Sequence, residues 1–72
     1  MGGNMPCTLN AANEIAVDAF LHGRIRFVEM PELVAETMAC IPFVAVPSYA
    51  DIIRTNEEAR LKAKEILCRI AH

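Results

Sequence analysis

The sequence lacks a strong excess of charge of either sign, and it lacks long apolar runs. Seven Lys and Arg stand against nine Asp and Glu, which gives a net charge of −2. No long-range field therefore favours binding to nucleic acid or to an anionic membrane surface. The longest apolar runs, such as residues 43–47, are far too short to cross a bilayer. We therefore expect neither a nucleic-acid partner nor a membrane partner.

Cysteine and histidine are too few and too scattered for a disulfide framework or a structural metal site. Cys7, Cys40 and Cys68 are an odd number of cysteines at long spacings, without a C-x-x-C pair. We expect three reduced cysteines that pack as small hydrophobes in a cytosol-like compartment. His22 and His72 lie far from any ligand-like cluster, and His22 is expected to face the last carbonyls of its helix or solvent.

A set of residues for catalysis or cofactor binding is also missing. Gly2-Gly3 is not followed by the further glycine, lysine or serine of a phosphate-binding loop. Glu14 and Asp18 are four residues apart on one helix, a spacing typical of a solvated face. Basic residues within 54–69 alternate with acidic ones and point in different directions, which disfavours a DNA-reading helix-turn-helix. The sequence predicts no catalytic, cofactor-binding or metal-binding residue.

What the chain does contain is a high proportion of apolar residues for its size. Hydrophobic residues make up 54% of the 72 residues and charged ones 22%, a composition that argues against disorder. A chain this short forms one domain, residues 1–72, and buries only about 60% of its unfolded surface. Some apolar side chains are therefore expected to face another domain or subunit.

Four segments are predicted to be helices. Thr8 as N-cap and Gly23 as C′ residue delimit the first helix, and Pro31 fits the first turn of the second. Ser48 is a candidate cap for a short third helix, and Thr55 begins a T-x-x-E capping box for the last. The fold class is all-α: a small four-helix bundle-like domain with one short helix and an extended Pro-containing linker. The predicted helices are residues 8–22, 31–40, 49–54 and 56–71.

Two connectors are predicted to be extended. Apolar and charged residues alternate in the segment 24–30, so Ile25 and Phe27 are expected to act as two apolar anchors in the core. The segment 41–48, "IPFVAVPS", contains two prolines and is predicted to be a buried, extended linker.

The first helix is predicted to lie in the core, and one polar residue falls inside its apolar face. Asn13 projects between Leu9 and Phe20 at helical spacing. A buried amide without partners costs about 1–3 kcal/mol, so we expect Asn13 to be a structural residue bonded to a neighbouring loop. The alternative is a contact that shapes a ligand site in a neighbouring domain. The apolar stripe consists of Leu9, Ala12, Ala16, Ala19 and Phe20.

The last helix has apolar residues on two opposite sides. Leu61 and Cys68, seven residues apart, lie opposite the main apolar face, and an isolated bundle would leave them in water. A second packing surface is the simplest explanation. The main face consists of Ala59, Ala63, Ile66, Leu67 and Ile70.

The stretch "GGNMPCTLNAANEIAVDAFLHGRIRF" resembles the opening of the C-terminal helical domain of 1-deoxy-D-xylulose 5-phosphate reductoisomerase. The tail "SYADIIRTNEEAR" resembles the short helix of that family and the "A-R" helix that follows it, so the similarity extends from Gly2 to about Ala71. The residues that carry the first part of the resemblance are Gly2-Gly3, Pro6, residues 9–14, Phe20-Leu21, Ile25 and Phe27.

The resemblance implies that the chain is one domain of a longer enzyme of the bacterial cytoplasm. The resemblance implies that this enzyme is a homodimer of three-domain chains. The first domain of each chain binds NADPH, and the second binds a divalent metal, Mg or Mn. The enzyme converts 1-deoxy-D-xylulose 5-phosphate to 2-C-methyl-D-erythritol 4-phosphate in non-mevalonate isoprenoid synthesis. None of the family's catalytic or binding motifs falls within these residues. Met1 then looks like a start codon placed on an excised piece.

Two functional readings follow from the sequence. In the first, the chain is the non-catalytic C-terminal domain of that reductoisomerase, its partner is the catalytic domain of the same parent chain, and alone it is expected to be inactive. In the second, it is an autonomous helical protein–protein interaction module. Self-association through the exposed apolar surface is expected of the isolated chain. The residues assigned a structural role are Asn13, Pro6, Phe20 and Phe27.

Overall fold

The computed structural model of the protein describes residues 3–71. Met1, Gly2 and His72 lie outside these residues. The interpretation of Met1 as a start codon, and the role of Gly2 in the Gly-Gly pair, therefore concern residues that the structure does not describe. Within the described residues the secondary structure is helical, without strands, so the all-α class is confirmed. The elements are α1 (Met5–Leu21), a 3-10 turn (Phe27–Glu29), α2 (Met30–Cys40) and α3 (Tyr49–Ile70).

The helix α3 is continuous, so the prediction of separate third and fourth helices is wrong. No glycine or proline interrupts residues 49–70, and Thr55 lies buried inside the helix instead of capping one. The predicted cap at Ser48 is present: its hydroxyl accepts a hydrogen bond from the Asp51 amide at 3.1 Å. The Asp51 carboxylate in turn accepts from the Ser48 amide at 3.0 Å. This reciprocal pair is the capping box that begins α3.

The helix α1 begins three residues earlier than the sequence suggested, at Met5. Asn4 is the N-cap residue, and Pro6 occupies the first turn, where its missing N–H costs no intrahelical bond. Thr8, the expected cap, is fully buried, and its hydroxyl donates to the Asn4 carbonyl oxygen at 3.2 Å. The end of α1 agrees with the prediction, since Gly23 adopts a left-handed conformation with φ of +71°.

The three helices form an up-down-up bundle. Near the start of α1, Asn4 Nδ2 donates to Thr55 Oγ1 at 3.1 Å, and further along Glu14 pairs with Arg60 at 2.6 Å. These contacts show that α1 and α3 run in the same direction. The chain leaves α2 beside the start of α1, because Asn4 Nδ2 also donates to the Pro42 carbonyl oxygen at 2.8 Å. The helix α2 is therefore antiparallel to both of the others.

Small side chains dominate the centre of the bundle. The α1 residues that face inward are Thr8 and four alanines, which allow α2 and α3 to approach α1 closely. The predicted main face of the last helix is buried at Ala59, Ala63, Ile66 and Leu67, and Ile25 is buried as predicted. One core cluster consists of Ala16, Ala19, Ile25, Leu33, Ile66 and Leu67, and a smaller one of Ala11, Ile41 and Ala59.

Both connectors differ from their predictions. Phe27 is 70% exposed instead of anchored in the core. Its segment forms the 3-10 turn, in which the Arg26 amide donates to the Glu29 carboxylate at 2.7 Å. In the linker 41–48 only Ile41 is buried, and Val46 is 90% exposed. The linker is non-helical, as predicted, but most of it lies on the surface.

The cysteines are free. Cys7 is half-buried and its Sγ lies 3.5 Å from the Ile52 carbonyl oxygen. Cys40 and Cys68 are exposed, so the expectation that all three pack as small hydrophobes is wrong for these two. The expectation for His22 is confirmed, since its Nδ1 lies 2.8 Å from the Asp18 carbonyl oxygen at the end of α1.

Candidate functional site

Many ionisable groups of the domain are engaged in surface pairs. Residues 3–71 contain no group of three or more His, Cys, Asp or Glu side chains placed to hold a metal ion. Hydrogen bonds from Ser48, with a smaller contribution from Arg54, lower the pKa of Asp51, and a hydrogen bond to Glu65 raises the pKa of Lys62. Both shifts follow from contacts within an exposed helix. Among the described helices, none is long and apolar enough to cross a membrane.

The surface is instead notable for exposed apolar side chains, and the first group of them lies on α1. Leu9, Val17 and Phe20 are 47%, 36% and 38% exposed. Together with Asn13 they recur at spacings of three and four residues and so share one side of the helix. We call these four residues the α1 outer face. Phe27 extends it, because its ring meets the Phe20 ring edge-on with centroids 5.8 Å apart.

Asn13 lies within the α1 outer face and is exposed, so the prediction that its amide is buried is wrong for this chain. The projection correctly placed it between Leu9 and Phe20, but that side of α1 points to solvent. The alanines of the predicted stripe lie on the adjoining side and are buried, because they permit the closest helix packing, whereas Leu9 and Phe20 at its edge are exposed. Beside Asn13 is an open depression of about 400 Å³ lined by Pro6, Leu9, Asn10 and Asn13. A structural role of Asn13 within a larger parent protein stays a prediction.

Asn4 is the buried polar residue that the sequence did not identify. Its side chain is fully engaged: Nδ2 donates to the Pro42 carbonyl oxygen at 2.8 Å and to Thr55 Oγ1 at 3.1 Å. Its Oδ1 accepts from the Val44 amide at 2.8 Å, and its own amide donates to the Val44 carbonyl oxygen at 3.0 Å. An asparagine two residues before a proline, with that proline in the first helical turn, is the signal that could have indicated an N-cap here.

The bonds of Asn4 bring two uncharged segments together at one end of the bundle. Residues 3–13 and residues 41–50 contain no Asp, Glu, Lys or Arg. We call the surface formed by these two segments the charge-free end. Phe43, Val46 and Tyr49 within it are 58%, 90% and 82% exposed. An uncharged surface with large apolar side chains in water is typical of a surface that meets another protein or domain.

The approach of the two segments is close enough to require glycine. Gly3 has φ of +49°, and a Cβ atom at this position would overlap the Val44 carbonyl oxygen. The chain thus enters the described structure in direct contact with the linker.

Comparison with known proteins gives a family for most of the chain. Residues 1–62 match the family model described as the DXP reductoisomerase C-terminal domain. The 1-deoxy-D-xylulose 5-phosphate reductoisomerase of Bacteroides fragilis strain YCH46 is 47% identical over 68 residues, which cover 94% of this chain and 18% of that protein. The protein of the same name from Bacteroides thetaiotaomicron is 48% identical over 66 residues, covering 92% and 17%. That of Solibacter usitatus is 46% identical over 71 residues, covering 97% and 18%.

No solved structure matches the chain significantly. The chain spans 17–18% of the length of the curated relatives it matches. The family match covers most of the chain, including α1, α2, the linker and more than half of α3. The chain belongs to the DXP reductoisomerase C-terminal domain family.

Proposed function

We propose that the chain is the non-catalytic C-terminal domain of a 1-deoxy-D-xylulose 5-phosphate reductoisomerase, and that it supports the catalytic part of its parent chain. The observation that carries this proposal is the family match over residues 1–62. In such a parent, other domains hold NADPH and a divalent metal, Mg or Mn. The parent reaction belongs to isoprenoid synthesis by the non-mevalonate pathway, in the bacterial cytoplasm.

The exposed apolar residues support a role in docking. Removing apolar surface from water contributes about 25 cal/mol per Å² to stability. Exposed side chains such as Val46 and Tyr49 therefore contribute more when a partner covers them than they do in the isolated domain. The ion pairs on the rest of the surface, such as Glu14 with Arg60, satisfy themselves within the domain. The role of the domain is therefore to bind and position the catalytic part, which carries the chemistry.

A domain exchange tests the proposal. The C-terminal segment of the Bacteroides fragilis reductoisomerase is replaced by this chain, at 47% identity over 68 residues. The chimera is then assayed for NADPH oxidation with 1-deoxy-D-xylulose 5-phosphate and Mg²⁺ or Mn²⁺. We expect activity approaching that of the unmodified relative, because the docking surface is retained.

Two controls accompany the exchange. The relative without its C-terminal segment should be far less active, and the present chain alone should oxidise no NADPH. A chimera that is soluble and folded but no more active than the truncated relative would contradict the proposal. That result would favour the alternative, an autonomous helical interaction module.

A further inference from the structure

We propose that the charge-free end is the surface against which the preceding part of the parent chain docks. This inference rests on the proposed function and deepens it by assigning the contact to residues 3–13 and 41–50. The partner surface is an apolar, uncharged patch of the same polypeptide.

The distribution of charge is the first argument. Every Asp, Glu, Lys and Arg lies within residues 14–36 or 51–69. Protein interfaces are depleted of charged residues at their centre and enriched in aromatic side chains. The charge-free end matches this composition, with Phe43 and Tyr49 more than half exposed and Val46 almost fully exposed. A surface that contacts only water gains no free energy from large apolar side chains.

The path of the chain is the second argument. In the reductoisomerases the matched segment is about one-fifth of the protein, and the family model is that of a C-terminal domain, so most of such a protein comes before it in the sequence. Of the described residues, those nearest to that part along the chain belong to the charge-free end, because the Asn4 amide donates to the Val44 carbonyl oxygen at 3.0 Å. A covalently attached partner meets a surface at its own attachment point at a high effective concentration.

The rigidity of this end is the third argument. The linker carries the most exposed apolar side chains, and it is fixed by the two hydrogen bonds of Asn4 to Val44 and by the bond to Pro42. A linker already held in one conformation loses less conformational entropy when a partner covers it. The other exposed apolar residues lack this combination. Leu61 lies in an open groove lined also by Glu58, Lys62 and Glu65.

The experiment uses the chimera described above and two matched substitutions. Val46→Glu introduces a negative charge into the charge-free end, and Val28→Glu introduces the same charge at an exposed valine outside it. The exposed fractions of Val46 and Val28 are 90% and 69%, so neither charge is buried within the domain itself. Hydroxyl-radical footprinting with mass spectrometry then measures the oxidation rate of Tyr49, the single tyrosine of this chain.

We expect Tyr49 to be protected in the unsubstituted chimera, since docking covers its ring. Val46→Glu should raise the Tyr49 oxidation rate at least about 5-fold, whereas Val28→Glu should change it less than about 2-fold, because only the first charge is desolvated by docking. If the Val46→Glu chimera does not fold, the Tyr49 oxidation rate in the unsubstituted chimera alone decides whether the charge-free end is covered.

An active chimera in which Tyr49 is oxidised as fast as in an unstructured peptide overturns this inference and leaves the proposed function intact. Protection that disappears on dilution, in parallel with dissociation of a dimer, shows that a second copy covers the surface and also overturns it. An inactive chimera contradicts the proposed function, and the inference falls with it.

Discussion

At the scale of single residues, two asparagines near the start of the chain occupy opposite environments. Asn4 is 1% exposed and bonds to three different residues outside α1, while Asn13 lies on the outer side of α1 in contact with solvent. Helical projection identifies which residues share a face, but it does not identify which face becomes buried when both are apolar. Packing decides this, and the alanine side of α1 allows the closest approach of its neighbours.

Replacing Asn4 by alanine should therefore destabilise the domain, and replacing Asn13 should not. Asn4→Ala leaves buried partners, including the Val44 amide and Thr55 hydroxyl, without their hydrogen bonds. We expect the free energy of unfolding to fall by about 2–3 kcal/mol. Asn13→Ala should change it by less than about 0.5 kcal/mol. Urea unfolding followed by circular dichroism measures both, and equal losses for the two variants would contradict the assignment of Asn4 as the buried polar contact.

At the scale of helices, the helix ends that depend on local chemistry were predictable. That residues 49–54 and 56–71 belong to one helix was not. Ser48 and Gly23 were correctly assigned as helix ends, because a hydroxyl cap and a left-handed glycine act through their immediate neighbours. Thr55 shows the same T-x-x-E signal yet lies inside α3, since its hydroxyl accepts from Asn4, far away in the sequence. A capping pattern without a glycine or proline beside it does not by itself end a helix.

The surface could be predicted only in part, for a related physical reason. Leu61 and Cys68 lie opposite the main apolar face of one helix, where an isolated bundle leaves them in water, and both are exposed. For Cys68 this overrides the expectation that it packs as a small hydrophobe. The charge-free end could not be predicted in this way, because it forms only when residues 41–50 meet the start of α1. Its composition is visible in the sequence, but the contact that unites its two halves is a tertiary one.

The capping box of α3 predicts an acid-dependent contribution to stability. Hydrogen bonds from Ser48 lower the pKa of Asp51 below its ordinary value of 3.8 in the folded state. The contribution is therefore fully present above this value and is lost as the pH falls through the lower pKa of the folded protein. We expect Asp51→Asn to be less stable than the natural chain near neutral pH, with a difference that shrinks as the pH falls below about 4.

Unfolding with urea at a series of pH values, from about pH 6 downward, measures this difference. The other acidic groups are common to both proteins and cancel. In a Ser48→Ala background the pH dependence should be only partly reduced, because the Ser48 amide, whose hydrogen bond is the main cause of the pKa shift, still donates to the Asp51 carboxylate. A difference that stays constant with pH, or that grows on acidification, would be incompatible with the capping role of the Asp51 carboxylate.

At the scale of the whole molecule, the domain is elongated and carries apolar residues along much of its length. It measures 37 × 19 × 17 Å, with a radius of gyration of 12.0 Å. The α1 outer face follows one side, and the charge-free end covers one extremity. A small body of this shape has a thin interior, so residues as large as Leu9 and Val46 remain in contact with water. Stability and association are therefore linked in this protein.

We predict that the chain alone binds a hydrophobic dye and self-associates as its concentration rises. Val17→Lys, on the α1 outer face, should reduce both dye fluorescence and association, because it places a charge within the apolar surface. Ala35→Lys adds the same charge at an exposed position of α2, outside both apolar surfaces, and should have the smaller effect. Analytical ultracentrifugation and dye titration give the two readouts. A monomer at all concentrations that binds no dye would disprove this prediction.

The hydrogen bonds of Asn4 also set the order of events during synthesis. Asn4 leaves a ribosome 51 residues before its partner Thr55. This contact therefore cannot form until the linker and the start of α3 have also emerged. The charge-free end is thus completed late in the synthesis of these residues, although half of it is made at the beginning.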